Sequence, residues 1–242
     1  MARATEVAET ANQDCATAPA QGTGGARWRL LALLVGLVIL AATGILWLDR
    51  SVAQIVQDHL PGWLHRIADG ISWVGSNGCY PIAAGLLLIW SWRIRPDRWL
   101  WRACLWLLTA EAVTAVLVRV LKIGIGRWRP NRPLAGQFDF FDWSELLDSK
   151  RHSFPSGHTA DAAVVATVIW LTFPRLRPLC VAWVVLMGTS RVCALQHFVG
   201  DVAAGAVLGI LCALAVGRKL DVTERWIGPA PFAGRSPGAG RP

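Results

Sequence analysis

"LLALLVGLVILAATGILWL", residues 30–48, runs nineteen positions without a charged side chain. A helix rises about 1.5 Å per residue, so roughly 20 apolar residues cross the hydrocarbon layer of a bilayer. The stretch therefore reads as a transmembrane helix. Further apolar runs near 72–92, 99–121, 159–174, 178–196 and 200–217 extend the reading to six spans. The expected fold is all-α: an integral membrane bundle of six transmembrane helices with short interfacial helices on its outer face. Composition agrees, since 54% hydrophobic residues against 17% charged ones departs from soluble proteins.

Tryptophan marks the ends of these runs. Trp28 and Trp47 bracket the first, and Trp90, Trp92, Trp99 and Trp101 crowd the turn between the second and third, where indole favours the headgroup layer. The net charge of +8 would suit nucleic acid, but the basic residues lie in short clusters between apolar runs and not along one polar face. Nucleic acid is therefore set aside as a partner, and the bilayer takes its place. The connections "RIRPDR" (93–98) and "PRLRP" (174–178), with Arg218, Lys219 and Arg225, are basic, and the positive-inside rule puts them in the cytoplasm. Both termini are then cytoplasmic, and the loops at 49–71, 122–158 and about 191–200 are external. In the first of these, residues 51–70 space their apolar side chains at helical intervals around Pro61, as in a helix pair lying flat on the membrane.

Residues 1–26 and 219–242 are poor in groups to bury and read as disordered cytoplasmic tails around a membrane domain at 27–218. A cleaved signal peptide is not expected, because the first apolar run is long enough to span. Cys15, Cys79, Cys104, Cys180, Cys193 and Cys212 show no CxxC spacing and mostly fall within apolar runs, so neither a zinc site nor a disulfide framework is expected.

Three motifs stand at the external ends of the spans. "KIGIGRWRP" (122–130) sets Lys122 and Arg129 with six residues between them before Pro130. Fixed cations at a water-facing helix end suit a phosphate, and a snorkelling basic flank has the same composition. "PSGH" (155–158) directly precedes the fourth span. Ser156 can cap that helix, Gly157 lets an anion approach the backbone, and a capped helix beside an incidental histidine is the plainer alternative. "SRVCALQHFVGD" (190–201) supplies Ser190, Arg191, His197 and Asp201. Histidine and aspartate at i and i+4 share a helix face, so the carboxylate can hold one ring nitrogen and aim the other outward; a purely structural pair would look alike.

Together the pattern K-x6-RP, PSGH, SR-x5-H-x3-D resembles the signature of the type-2 phosphatidic acid phosphatase and vanadium haloperoxidase superfamily, matching at all eleven fixed positions. The resemblance implies a membrane lipid-phosphate phosphatase in a bacterial-type inner membrane, with its site on the periplasmic face. It implies that Lys122, Arg129, Ser156, Gly157 and Arg191 bind the phosphate, and that His197 attacks phosphorus to form a phosphohistidine. Asp201 would orient His197, and His158 would act first as acid and then as base. No metal or cofactor is implied, and the expected partner is a phosphorylated lipid. Phosphatidate, phosphatidylglycerophosphate, a polyprenyl pyrophosphate and a lipid A phosphate all fit, and oligomeric state is not addressed. A phosphotransferase of the same family is a close alternative. A transporter is a distant one, since it leaves the eleven matches unexplained.

Other marked residues fall outside the motifs. The aromatic and acidic loop at 138–152 is expected to cover the site or touch substrate, with a capping box at Asp142 and Glu145, and a plain connecting loop is the alternative. His152 is expected in solvent, with contact to substrate as the alternative. Glu111, within the third span, is expected to pair with a basic group, for which Arg102 and Arg119 are the candidates, or to face a cavity, a structural pairing being favoured over a proton relay.

Overall fold

The computed structural model describes residues 23–74, 79–94, 98–141 and 151–220. Cys15, the capping box at Asp142 and Glu145, and most of both terminal tails lie outside the described residues. The chain divides into two compact units, residues 1–36 and 37–242. Of the first, residues 23–36 are described, and they are helical.

Helix α1 (Thr23–Thr43) runs through a single π-helical stretch, Gly44–Leu48, into α2 (Asp49–His59). Thr43, Leu48 and Asp49 all keep right-handed helical dihedrals, so the helix does not break there. Residues 51–59 therefore continue the first span's helix and do not begin a separate surface segment. The break comes at Leu60, whose ψ of 123° is extended because the proline ring after it clashes with a helical predecessor. Helix α3 (Gly62–Val74) comes next, then α4 (Cys79–Arg93), α5 (Arg98–Ile125), α6 (Gly157–Thr172), a 3-10 turn at Pro174–Leu176, α7 (Arg177–Cys193) and α8 (Val199–Lys219). Extended pairing among the described residues is limited to one antiparallel bridge, Arg127 to Phe138.

Four of these stretches are long and apolar enough to cross a bilayer: Leu31–His59, Arg98–Ile125, Pro174–Cys193 and Val199–Lys219. Helices α4 and α6, at 15 and 16 residues, are shorter than the usual span. Large apolar side chains face outward on helix after helix, among them Leu46, Leu86, Val116, Val120, Leu179 and Val185. Water would penalise so much contiguous apolar surface, whereas hydrocarbon accepts it. The chain is a helical membrane protein.

The core lies between α5, α6 and α8, where Trp106, Ala110, Val164, Val168, Ala213 and Val216 close on one another with Leu107 and Leu171 beside them. The Trp106 indole N–H donates to the Ala213 carbonyl at 2.8 Å. Without a hydrophobic drive in lipid, helices associate by close backbone approach, and small residues permit it. At Gly209 a Cβ would stand 2.2 Å from the Ala160 carbonyl oxygen, so α6 and α8 could not approach this closely around any other residue. Glu111 is buried with Asp161 of α6 as its neighbour; it pairs with neither Arg102 nor Arg119 among the described residues. The expected arginine pairing fails because Glu111 faces the interior of the bundle.

Gly209→Ala is expected to destabilise the detergent-solubilised protein by about 1–3 kcal/mol through overpacking. Gly85→Ala, where a Cβ meets nothing within 4 Å, is expected to leave thermal unfolding unchanged or slightly raised. Thermal melts of the two variants make the comparison.

Candidate active site

The last turn of α5 presents Lys122, and the chain then leaves the helix at Gly126, whose φ of +56° lets its N–H close on the Lys122 carbonyl at 3.0 Å. Residues 126–139 fold back on themselves through Trp128 N–H to Gln137 O (2.9 Å) and Asp139 N–H to Gly126 O (3.2 Å). Arg129 occupies the return, and its guanidinium donates to the Gln196 side-chain oxygen. The next segment is tied in by Ser153 N–H, which donates to the Arg127 carbonyl at 2.9 Å.

Ser156 stands at the N-cap of α6 in extended conformation, but it does not cap the helix with its side chain. Its hydroxyl pairs with that of Thr159 at 3.0 Å, and its own N–H donates to the Asp201 carbonyl at 3.0 Å. The expected side-chain cap is thus absent, and the free N–H groups of the helix start are left for an anion. Lys122 Nζ comes within 3.9 Å of where a Cβ on Gly157 would lie, so the ammonium stands over that helix start. The charges of Arg191, Lys122 and Arg129 all bear on His158, and His197 is a further neighbour.

Arg191 ends α7, mostly buried, with Nη1 3.8 Å from Asp69 on α3. Its carbonyl accepts the N–H groups of Gln196 (3.1 Å) and His197 (3.3 Å), which curls the chain between α7 and α8. His197 sits in this turn before α8, so it shares no helix face with Asp201 as the i, i+4 spacing suggested. Its Nδ1 is 2.6 Å from the Ser153 carbonyl oxygen and 3.8 Å from Asp201 Oδ2. A carbonyl only accepts, so Nδ1 carries the proton and Nε2 keeps its lone pair. Asp201 acts on the ring by charge and through its neighbours. Its carboxylate accepts the Phe198 N–H (2.9 Å), the Ser153 hydroxyl (2.5 Å) and the Arg127 guanidinium.

All eight residues singled out from sequence gather at this end of the bundle. Sequence reading passed over three others, none of them a motif position: Arg127 lies between Lys122 and Arg129, Asp49 directly follows the first apolar run, and Ser153 stands two residues before PSGH. His152, expected in solvent, is 6% exposed, because the 151–156 segment is drawn against the loop after α5.

Residues 99–222 match the PAP2 superfamily. Over 174 residues the chain is 30% identical to phosphatidylglycerophosphatase B of Bacillus subtilis, a match covering 67% of this chain and 78% of that protein. The chain belongs to the PAP2 superfamily. It is also 33% identical over 105 residues to lipid A 1-phosphatase of Rhizobium etli, covering 43% of this chain and 44% of that one, less than half the relative's length. Among solved structures, the transmembrane PAP2-type phosphatidylglycerolphosphate phosphatase from Bacillus subtilis aligns with a TM-score of 0.57 at 26% identity, over 79% of this chain and 94% of its own. Every motif residue of this PAP2 chain lies inside the matched 99–222 segment; Asp49 lies outside it.

Burial pushes the His197 imidazole down from 6.5 to about 4, while the Asp201 carboxylate pulls the other way. The folded ring thus refuses a proton that the unfolded ring accepts. Stability is full above about 6.5 and falls as pH drops from there toward 4. In [15N]histidine spectra the Nδ1-protonated tautomer of His197 is expected to persist without titrating down to about pH 5.

Proposed function

We propose that this protein is an integral-membrane phosphatase that hydrolyses a phosphomonoester or pyrophosphate on a lipid headgroup, without a metal, through a phosphohistidine at His197. Phosphoryl transfer needs charge neutralisation on the equatorial oxygens and in-line placement of the attacking and leaving groups. Lys122, Arg129 and Arg191 supply the first, aided by Ser156 and the backbone at Gly157. These cations take the part that metal ions take in two-metal phosphatases.

In the first step the Nε2 lone pair attacks phosphorus, the bond to the leaving oxygen breaks, and that oxygen takes its proton from His158. In the second, water attacks phosphorus and gives a proton to His158, and the P–N electrons return to Nε2. The observation that most supports this reading is the 2.6 Å contact between His197 Nδ1 and the Ser153 carbonyl, which leaves Nε2 as the free nucleophile among the cations.

The site sits where lipid headgroups sit. Lys122 ends α5, Gly157 begins α6, Arg191 ends α7 and Asp201 opens α8, so successive crossings in alternating directions would bring all four to one surface. With α4 and α6 as short spans, residues 27–218 form a six-span domain whose site faces the periplasm and whose termini are cytoplasmic. The relatives are named for activity on lipid A 1-phosphate and on phosphatidylglycerophosphate, and the two share this chemistry: a phosphate held at the interface by its lipid.

Purified protein is expected to release inorganic phosphate from at least one member of a panel of phosphatidate, phosphatidylglycerophosphate, undecaprenyl pyrophosphate and lipid A, with turnover unaffected by EDTA. Loss of turnover on chelation, with recovery on adding magnesium, contradicts the mechanism. His197→Ala is expected to lose about a thousandfold or more in kcat while still inserting in the membrane.

A further inference from the structure

We infer that Asp49, at the beginning of α2 and outside the segment that carries the motifs, is a positioning residue for His197: it clamps Arg127 and the start of α8, and through them the two groups that set the imidazole ring. The inference rests on the reading of His197 as the nucleophile.

Asp49 is 2% exposed, and each of its oxygens has one partner. Oδ2 accepts from Arg127 Nη2 at 2.8 Å, and Oδ1 accepts the Gly200 N–H at 2.9 Å. The Gly200 N–H is one of the donors that an α-helix leaves without an internal partner, and a carboxylate there also meets the positive end of the helix dipole. The approach is possible because position 200 has no side chain: a Cβ would stand 2.9 Å from Asp49 Oδ2 and 2.8 Å from Ile45. The π-helical stretch Gly44–Leu48 ends immediately before Asp49. Such stretches insert an extra residue and rotate the next helical turn about the axis.

Arg127 carries the constraint onward. Nη1 donates to Asp201, while Nη2 is held by Asp49. The guanidinium carbon lies 4.3 Å from the centre of the Phe198 ring and 5.0 Å from that of Phe138, which confines it on its faces as the carboxylates do at its edge. The Arg127 carbonyl accepts the Ser153 N–H at 2.9 Å, and the Ser153 carbonyl in turn accepts His197 Nδ1–H. One arginine thereby fixes both Asp201 and the peptide that selects the histidine tautomer.

Charge gives Asp49 a second effect. One guanidinium cannot neutralise two carboxylates, so the cluster of Asp49, Arg127 and Asp201 carries a surplus negative charge beside His197. The ring becomes cationic when Nε2 bonds to phosphorus with Nδ1–H retained, and that surplus favours the cation. Removing the Asp49 charge lets Arg127 cancel Asp201.

The test uses full-length protein in detergent micelles, with phosphatidylglycerophosphate or whichever panel lipid is turned over, and inorganic phosphate as a competitive probe. Asn in place of Asp49 keeps the shape and one acceptor oxygen, enough for either the Gly200 N–H or Arg127 but not both, and drops the charge. Asp49→Asn is expected to lower kcat about 10- to 100-fold, by analogy with groups that orient a reacting ligand, with KM and the inhibition constant of phosphate within about twofold of wild type. Arg127→Lys, a cation without the fork needed to bridge two carboxylates, is expected to show the same split. The double variant is expected to lose no more than the worse single one. A kcat within about twofold of wild type in both variants overturns the inference, as does a loss appearing in KM and phosphate affinity with kcat intact. Turnover surviving in His197→Ala defeats the nucleophile assignment itself. A dead His197→Ala beside fully active Asp49 and Arg127 variants defeats only the role of Asp49.

Discussion

A guanidinium buried between two carboxylates is the contact on which the site depends. Arg127, Asp49 and Asp201 are each 2% exposed or less, so water screens none of them. Breaking such a group by removing one partner leaves a buried charge uncompensated, at a cost of about 3–5 kcal/mol. The three residues come from the first helical span, from the loop after α5 and from the start of α8. Where these segments meet, the chain has little freedom to settle differently.

The surroundings explain why this chemistry lies at one end of the bundle. Between the helices, polar side chains are few, and some are satisfied locally, as with the Trp106 N–H on the Ala213 carbonyl. Lipid offers no partner for a stray donor or acceptor, so ionised groups concentrate at helix ends, where headgroups and water begin. Helix ends also supply free backbone N–H groups, and α6 presents its own beside Lys122 because Ser156 spends its hydroxyl on Thr159. The Glu111 and Asp161 pair is the exception, a carboxyl contact inside the bundle.

The motifs lie within the segment that matches the PAP2 superfamily, and the N-terminal helices before it also reach the candidate site. Asp49 reaches Arg127 and Gly200 from the end of the first span. Helix α3 is pinned to α7 by Ser72 and Ser190 at 2.9 Å and by His65 on the Cys193 carbonyl at 2.5 Å, and it brings Asp69 to Arg191. These helices are thus more than membrane anchors. They brace the turn that carries His197.

Sequence alone established the helical membrane class, from uninterrupted apolar runs, and singled out eight candidate site residues, from their spacing in three motifs, which the structure brings to one end of the bundle. Both signals are local or periodic, and each can be read within a window of some tens of residues. The structure altered what depends on distance through space. His197 leans on the Ser153 carbonyl more closely than on Asp201, Glu111 meets an acid where an arginine was expected, and the helix of the first span continues past residue 48 to His59. Arg127 and Asp49 had no motif to announce them, for Asp49 finds Gly200 across 151 positions of chain and Arg127 finds Asp201 across 74. Residue type determines that a buried charge must have a partner; only the packing of helices determines which one stands within hydrogen-bond reach.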